Sequence, residues 1–598
     1  MSAPAPDAAP AGPSVSQLVL RLLKVRVWLG EIIRPNEVQV TLFWAGIIGF
    51  IGAWSSILFR LASDFLNFLF TQKHGGYAAG FGALSWWQRL IIPAIGGLLA
   101  GMSLSLGERF SRKTSSTDYM EAVVLGDGNV PVRLSLIKSL SALFSIASGA
   151  SIGREGPLVQ LSAMLASAVG RLIKLPIPRR RLIVACGAAA GIASAYNAPI
   201  AGSLFVAEIV LGSLAMESFG PLVFSSVVAT MTVRAFFGQN ALYKTAQFGL
   251  NSAWEILPYC LLGLVCGAAA PFFLRGLKLS EKVFALSKLP VPLRLAAGGL
   301  VVGVLAMLHP EVCGNGYTLA ESILRGDWIW KSLLYILVLK LLATAATFGS
   351  GAVGGVFTPT LCVGASIGYL YGAGVDYVWH ATALSPSALA LVGMGAFLAA
   401  TTHAPIMAII MIFELTLDYQ IILPLMLCCV VAYYTSLGFE KKSIYSDALR
   451  RKGGGLFEQQ MAHLRVADLM RENPTSVPVT ASFGQVAQNF VTNHFNYLYV
   501  TDKDSRFAGA ISLHDIKSYL NQPEIAEIVT ARDLIREEFT TITPEVSLAE
   551  ALKTFSHHDA ERIPVVENRT NQKLIGSISK TDLILSFAES SSKEPAAA

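Results

Sequence analysis

An arginine and a glutamate stand side by side in "GASIGREGP" (149–157), with "SLSALFSIAS" upstream and "LVQLSAMLASAVG" downstream. In a bilayer each such charge costs at least a few kcal/mol, so Arg154 and Glu155 need a task there. Glycine and proline interrupt a helix at the same point. A helix that opens after a glycine-rich turn leaves backbone N–H groups free and carries partial positive charge at its N-terminus, a combination suited to an anion. A carboxylate at that mouth competes for the seat. Deprotonated, it blocks; protonated or displaced, it opens the way. Glu155 therefore reads as a gate and proton carrier, with a plain structural pairing to Arg154 as the blander alternative. Arg154 itself either pairs with a carboxylate or snorkels.

The stretch has a partner. "GASIGREGP" (149–157) aligns with "GAVGGVFTP" (351–359) at an offset of 202, matching Gly149 to Gly351, Gly153 to Gly355 and Pro157 to Pro359. "GAAAGIASAYNAPIAGSLFVAEI" (187–209) aligns with "GMGAFLAATTHAPIMAIIMIFEL" (393–415) at 206, placing Asn197 on His403 and Glu208 on Glu414. A weaker pair sets Tyr119 on Tyr317 at 198. Three ordered matches near one offset indicate a duplicated chain. Duplicated halves of transport proteins commonly pack as inverted repeats, with the substrate between paired broken helices near mid-membrane. Glu208, Glu414 and His403 read as structural, capping or pairing with backbone N–H groups.

The elements holding these residues are membrane helices. Of 598 residues 53% are apolar and 14% charged, where a soluble chain carries about a quarter charged. The mean hydropathy is +0.54. Charges are sparse from about Gln39 to Phe439 and dense beyond Lys441. A polytopic α-helical membrane domain at 35–450, with halves at about 35–240 and 250–440, is therefore expected. Some apolar stretches, such as "LIVACGAAAGIASAYNAPIAGSLFVAEIVLG", are too long for one crossing, and irregular backbone inside a membrane lines a cavity or is buried. Residues 1–34 read as a cytosolic leader without signal-peptide features. Basic clusters at 21–34, 178–181 and 440–452 place both termini in the cytoplasm. They do not accompany a folded basic face, so nucleic-acid binding is discounted. The seven cysteines lie in or beside apolar segments without a CxxC pair and read as packing residues. No nucleophile–base pair, metal cluster or phosphate loop suggests an enzyme, and the convergent carboxylates are too few for a CBS-regulated cation carrier.

At "GREGP" (153–157), "GVFTP" (355–359) and the "NAP…E" segment the sequence resembles the CLC family of chloride channels and chloride–proton antiporters. The resemblance implies a homodimer with one anion pathway per subunit, in a bacterial inner membrane. It makes Glu155 the external gating glutamate. Gly153, Arg154, Gly156, Gly355 and Thr358 would line the anion path, the amides of Val356 and Phe357 would bind the central anion, and Tyr445 would face it from the cytoplasmic side. Two departures stand out. Where many members carry "GSGIP" this chain has "SSTDYM" (115–120), leaving Ser116 or Thr117 to replace the usual serine ligand and altering a motif that separates chloride from nitrate. Bacterial antiporters place an internal proton acceptor after the residue matching Glu208; here Ile209 stands there. This favours passive chloride conduction over the alternative, chloride–proton antiport through the same glutamate.

Beyond a linker at 451–465 a second duplication appears. "VADLMRENPTSVPVTASFGQVAQNF" (466–490) parallels "ARDLIREEFTTITPEVSLAEALKTF" (531–555), and "GAISLHDIKSYL" (509–520) parallels "GSISKTDLILSF" (576–587). Strands alternating with amphipathic helices resemble a CBS pair, an α/β domain with units at 466–522 and 528–590 and a disordered tail at 591–598. In that family the motif endings, here Ser512 with Asp515 and Ser579 with Asp582, would hold phosphate and ribose of an adenine nucleotide such as ATP or AMP.

Overall fold

A computed structural model describes residues 37–73, 77–110, 118–124, 126–239, 242–243, 253–378, 384–445, 464–493, 497–512, 516, 528–535, 539–557, 562–568 and 570–579. The chain divides into two compact units between Lys452 and Gly453.

The first unit is helical. Its first half holds α1 (Glu37–Thr71), α2 (Tyr77–Gly82), α3 (Trp86–Phe110), α4 (Tyr119–Val124), α5 (Val132–Ala147), α6 (Glu155–Leu172), α7 (Ile177–Tyr196), α8 (Pro199–Leu204) and α9 (Met216–Phe237). The second half holds α10 (Ile256–Leu286), α11 (Val291–Leu308), α12 (Tyr317–Arg325), α13 (Trp330–Gly349), α14 (Phe357–Val378), α15 (Pro386–Thr402), α16 (Pro405–Thr416) and α17 (Ile422–Phe439). Seven of these helices are long and apolar enough to cross a bilayer. Helices α12 to α16 repeat α4 to α8 in order, and the breaks recur too. Gly149 and Gly351 end the approaches to α6 and α14 with φ of 93° and 92°. Asn197 and His403, both at φ 58°, close α7 and α15 in the left-handed conformation, and an Ala-Pro pair then starts the next helix. Proline suits that first position because its missing N–H has no helical acceptor to lose. The long apolar stretch at 182–212 is thus cut at Asn197. One half departs from its twin: α8 continues into a π-helical turn over Phe205–Leu211, whereas α16 is regular.

The halves are inverted with respect to each other. Gly97 of α3 packs on the backbone of Leu295, Gly101 on Pro292, and Gly303 of α11 packs on Leu90. Rising numbers on one helix meet falling numbers on the other, so these two homologous helices run antiparallel. Each presents a G-x-x-x-G spacing, 97/101 and 299/303, whose missing side chains let the two backbones touch. The seam is closed by van der Waals packing, the main adhesion available between helices in lipid.

The second unit contains two three-stranded sheets. One has the order β2–β3–β4, from Ser476–Pro478, Tyr497–Thr501 and Phe507–Ser512; the other joins β1 (Arg471–Glu472) to β6 (Leu574–Ser579) and β5 (Arg562–Val566). Single bridges pair Arg465 with Ser547 and Ser482 with Thr530, the same contact seen from each repeat at an offset of 65. Apolar strand faces and helix stripes close one core per repeat around Val500 and Val565.

Candidate anion site and gate

Gly153 and Gly355, equivalent in the repeat, exchange backbone hydrogen bonds in both directions, at 2.7 and 2.9 Å. This self-symmetric bridge brings the openings of α6 and α14 together. Helix openings are where backbone N–H groups lack partners inside their own helix, and Val356 and Phe357 stand at the second one. The two bridging glycines are dictated by the group that sits between them. The Glu155 carboxylate lies so close that a Cβ on Gly153 would overlap it, and one on Gly355 would come within 2.8 Å of its Oε2. Gly156 packs similarly on the Gly354 backbone.

Glu155 is buried, with 3% exposure. Its Oε1 accepts a hydrogen bond from the Tyr196 hydroxyl at 2.7 Å and another from the Thr358 hydroxyl. The two donor oxygens are 3.0 Å apart. Among the described residues Oε2 has no hydrogen-bond partner. Arg154 turns elsewhere: its guanidinium carbon lies 5.9 Å from the centroid of the Tyr317 ring, a cation–π arrangement. A chain of rings leads from the carboxylate inward, with Tyr196 to Phe357 at 5.1 Å, Phe357 to Phe205 at 6.3 Å and Phe205 to Tyr445 at 5.4 Å between centroids. The structure therefore gathers Gly153, Glu155, Gly156, Gly355, Val356, Phe357, Thr358 and Tyr445 into one neighbourhood. Ser116, Thr117, Asp515 and Asp582 lie outside the described residues. Ser512 and Ser579 end β4 and β6 and are both buried.

Sequence reasoning does not single out Tyr196 or Phe205. Each sits in an apolar helix, where an aromatic is usually core; Tyr196, beside the turn at Asn197, reaches the carboxylate, and Phe205, at the start of the π-helical turn, packs between Phe357 and Tyr445. Glu208 and Glu414 are engaged in structural work. The Glu414 carboxylate accepts from the N–H groups of Ile200 and Ala201 at 3.0 and 2.8 Å, and Glu208 reciprocates on Ile406 and Met407 at 3.4 and 2.8 Å. Ile209 is half-buried beside it. Six of the seven cysteines are buried and all are free thiols.

A family profile described as a voltage-gated chloride channel matches residues 96–437. The chain belongs to the CLC family. Two CBS-domain matches follow at 466–522 and 529–589. The CLC protein described as "putative chloride channel protein ClcB-like" from Ralstonia nicotianae is 50% identical over 411 residues, 68% of this chain and 96% of that relative. The "voltage-gated ClC-type chloride channel ClcB" of Salmonella typhimurium is 42% identical over 405 residues, 67% of this chain and 97% of its own. Among solved CLC structures, a slow cyanobacterial Cl−/H+ antiporter superposes with a TM-score of 0.62 at 26% identity, covering 70% of this chain and 99% of that one. A eukaryotic CLC transporter gives 0.61 at 17% identity over 92% of this chain and 99% of that one, a likeness of fold. The protein is thus a multi-pass membrane CLC chloride transporter with a CBS-bearing tail.

Proposed function

We propose that this CLC protein conducts chloride passively, through a path gated by Glu155. One observation carries the reading: a buried carboxylate occupies the junction where the two inverted halves bring their helix openings together. An anion and this carboxylate want the same donors, so only one is seated at a time. Protonation removes the charge that holds the side chain there and frees the path. Gly153, Arg154, Gly156, Gly355 and Thr358 line the way, the amides of Val356 and Phe357 face the ion, and Tyr445 lies on its cytoplasmic side.

Passive conduction is favoured by the residues inward of the gate. A coupled exchanger needs a second proton site on the inner side. Ile209 cannot carry a proton, and Glu208 is committed to two backbone N–H groups of the opposite half. The second reading, antiport through Glu155 with another inner proton route, draws support from the 26% identical neighbour described as a Cl−/H+ antiporter. Proteoliposomes separate the two. With an imposed chloride gradient and no proton gradient, we expect chloride to move and the lumenal pH to stay constant once voltage is clamped with valinomycin. Uphill proton movement under those conditions means antiport and overturns passive conduction.

The same proposal covers the remainder of the chain. It acts as a homodimer in a bacterial inner membrane with both termini cytoplasmic. It divides into a leader (1–34), a transport domain (35–450), a linker (451–465), CBS units at 466–522 and 528–590, and a tail. Ser512 with Asp515 and Ser579 with Asp582 hold an adenine nucleotide.

A further inference from the structure

The sequence offers Ser116 and Thr117, which precede α4, as candidate hydroxyl ligands. The structure offers other hydroxyls. We propose that Tyr196 and Thr358 form the hydroxyl ligand pair of the permeating anion, which takes the position of Glu155 Oε1 when the gate side chain leaves. This rests on the anion-conduction reading and adds a ligand set to it.

Hydrogen-bond supply is the first ground. Tyr196 and Thr358 each own one hydroxyl proton, and both give it to the same oxygen of Glu155. The two side chains are nearly inaccessible, at 1% and 0% exposure, so bulk water is no substitute partner. Remove the carboxylate and one hydroxyl can donate to the other across 3.0 Å, while Thr358 also lies within hydrogen-bond reach of the Tyr317 hydroxyl, so the pair keeps neutral partners and loses its charged one. A halide restores an acceptor with the charge of the departed group.

Local structure explains why these hydroxyls are free for the task. A threonine inside a helix commonly donates back to the carbonyl four residues earlier, as Thr360 does to Val356 at 2.7 Å. Thr358 is the second residue of α14 and has no preceding turn to bond. Tyr196 is the last residue of α7, and the left-handed Asn197 beside it ends the helix there. The repeat sharpens the contrast. Thr358 falls on Gly156 and Glu155 on Phe357 at the offset of 202, while Tyr196 falls on Thr402, whose hydroxyl is spent on the Leu398 carbonyl at 2.8 Å. The backbone bridge at the junction is symmetric, and the hydroxyl pair and the gate are side chains in which its two sides differ.

The test uses the full-length protein purified in detergent, with chloride binding read by isothermal titration. A Glu155→Ala parent removes the competing carboxylate, so a merely structural bond to Glu155 has nothing left to hold. On that parent, Tyr196→Phe and Thr358→Val should each weaken chloride about tenfold, the weight of one hydrogen bond to a charged partner. Both variants keep shape and should elute as the parent does in size-exclusion chromatography. Affinity within about twofold of the parent in both variants overturns the assignment. A loss on replacing Ser116 and Thr117 by alanine would in that case give the role to their segment. If the parent itself binds no chloride and passes none in liposomes, the conduction reading fails first and the ligand pair fails with it.

Discussion

Glu155 sits in a low-dielectric seat with one oxygen satisfied twice and the other without a partner among the described residues. Such a group is held by local donors and released when its charge is neutralised. That fixes the sign of the pH effect. As pH falls the carboxylate gains a proton, so chloride flux through native protein in liposomes should rise from neutral to mildly acidic pH. Glu155→Gln has no proton to gain, and its flux should be flat over the same range. A variant that keeps the native pH dependence removes Glu155 from the gate. This residue is legible in the sequence because a charge between apolar helices is costly and therefore conspicuous. Tyr196 is not. A tyrosine at the end of an apolar helix looks like core, and its role depends on a left-handed turn and on Thr358 arriving from the other half. Arg154 is legible as an anomaly, yet only the folded chain shows its guanidinium over Tyr317.

The helices α8 and α16 have a capping problem that explains two buried acids. Each starts with Ala-Pro, so the N-cap residues Ala198 and Ala404 carry no side-chain acceptor for the first-turn N–H groups. Inside a membrane those donors cannot turn to water, and each unsatisfied group is expensive. Glu414 supplies the acceptor for α8 and Glu208 the acceptor for α16, so each half caps the other. Glu414 is the more buried, at 9% exposure. Glu414→Ala leaves two N–H groups without their acceptor and should cost about 2–4 kcal/mol. Glu414→Gln retains one acceptor oxygen and should fall between native and Ala. Denaturation in detergent, followed by fluorescence-detected size exclusion, reads the order; an Ala variant as stable as native protein would show that the cap adds nothing. The equal spacing of the two acids is visible in the sequence. That they point at each other's helix is not, because an alignment of halves carries no direction. The inversion becomes evident only when Gly97 is found on Leu295 and Gly303 on Leu90.

At the scale of the whole chain, a lipid-adapted unit is followed by one built for water, and both arose by duplication. The tail's pseudo-twofold symmetry shows in paired bridges and in matching acid caps, Asp468 accepting from the Arg465 N–H and Asp533 from the Thr530 N–H, each at 2.8 Å. The Thr530 bonds hold the Asp533 carboxyl below its ordinary value. Its contribution to the fold is therefore present at neutral pH and fades only as strong acid protonates it. This regularity is legible from strand and helix alternation, whereas the partners of Ser512 and Ser579 depend on loops that an alignment does not position. If the tail binds a nucleotide, linkage makes two demands. A ligand that binds only the folded tail raises its melting temperature with the logarithm of concentration, by about 2.7 kcal/mol of added stability at a hundredfold excess over Kd. If the same ligand also shifts chloride affinity by some factor, chloride must shift nucleotide affinity by that factor. Full-length protein titrated with AMP and with ATP, with and without chloride, tests both. We expect a rising melting transition that Ser512→Ala with Ser579→Ala flattens, and reciprocal factors if the tail regulates conduction. A transition that does not move with either nucleotide removes the ligand site and leaves the tail as an assembly module. A transition that moves while the affinities stay independent keeps the site and denies it any control over chloride.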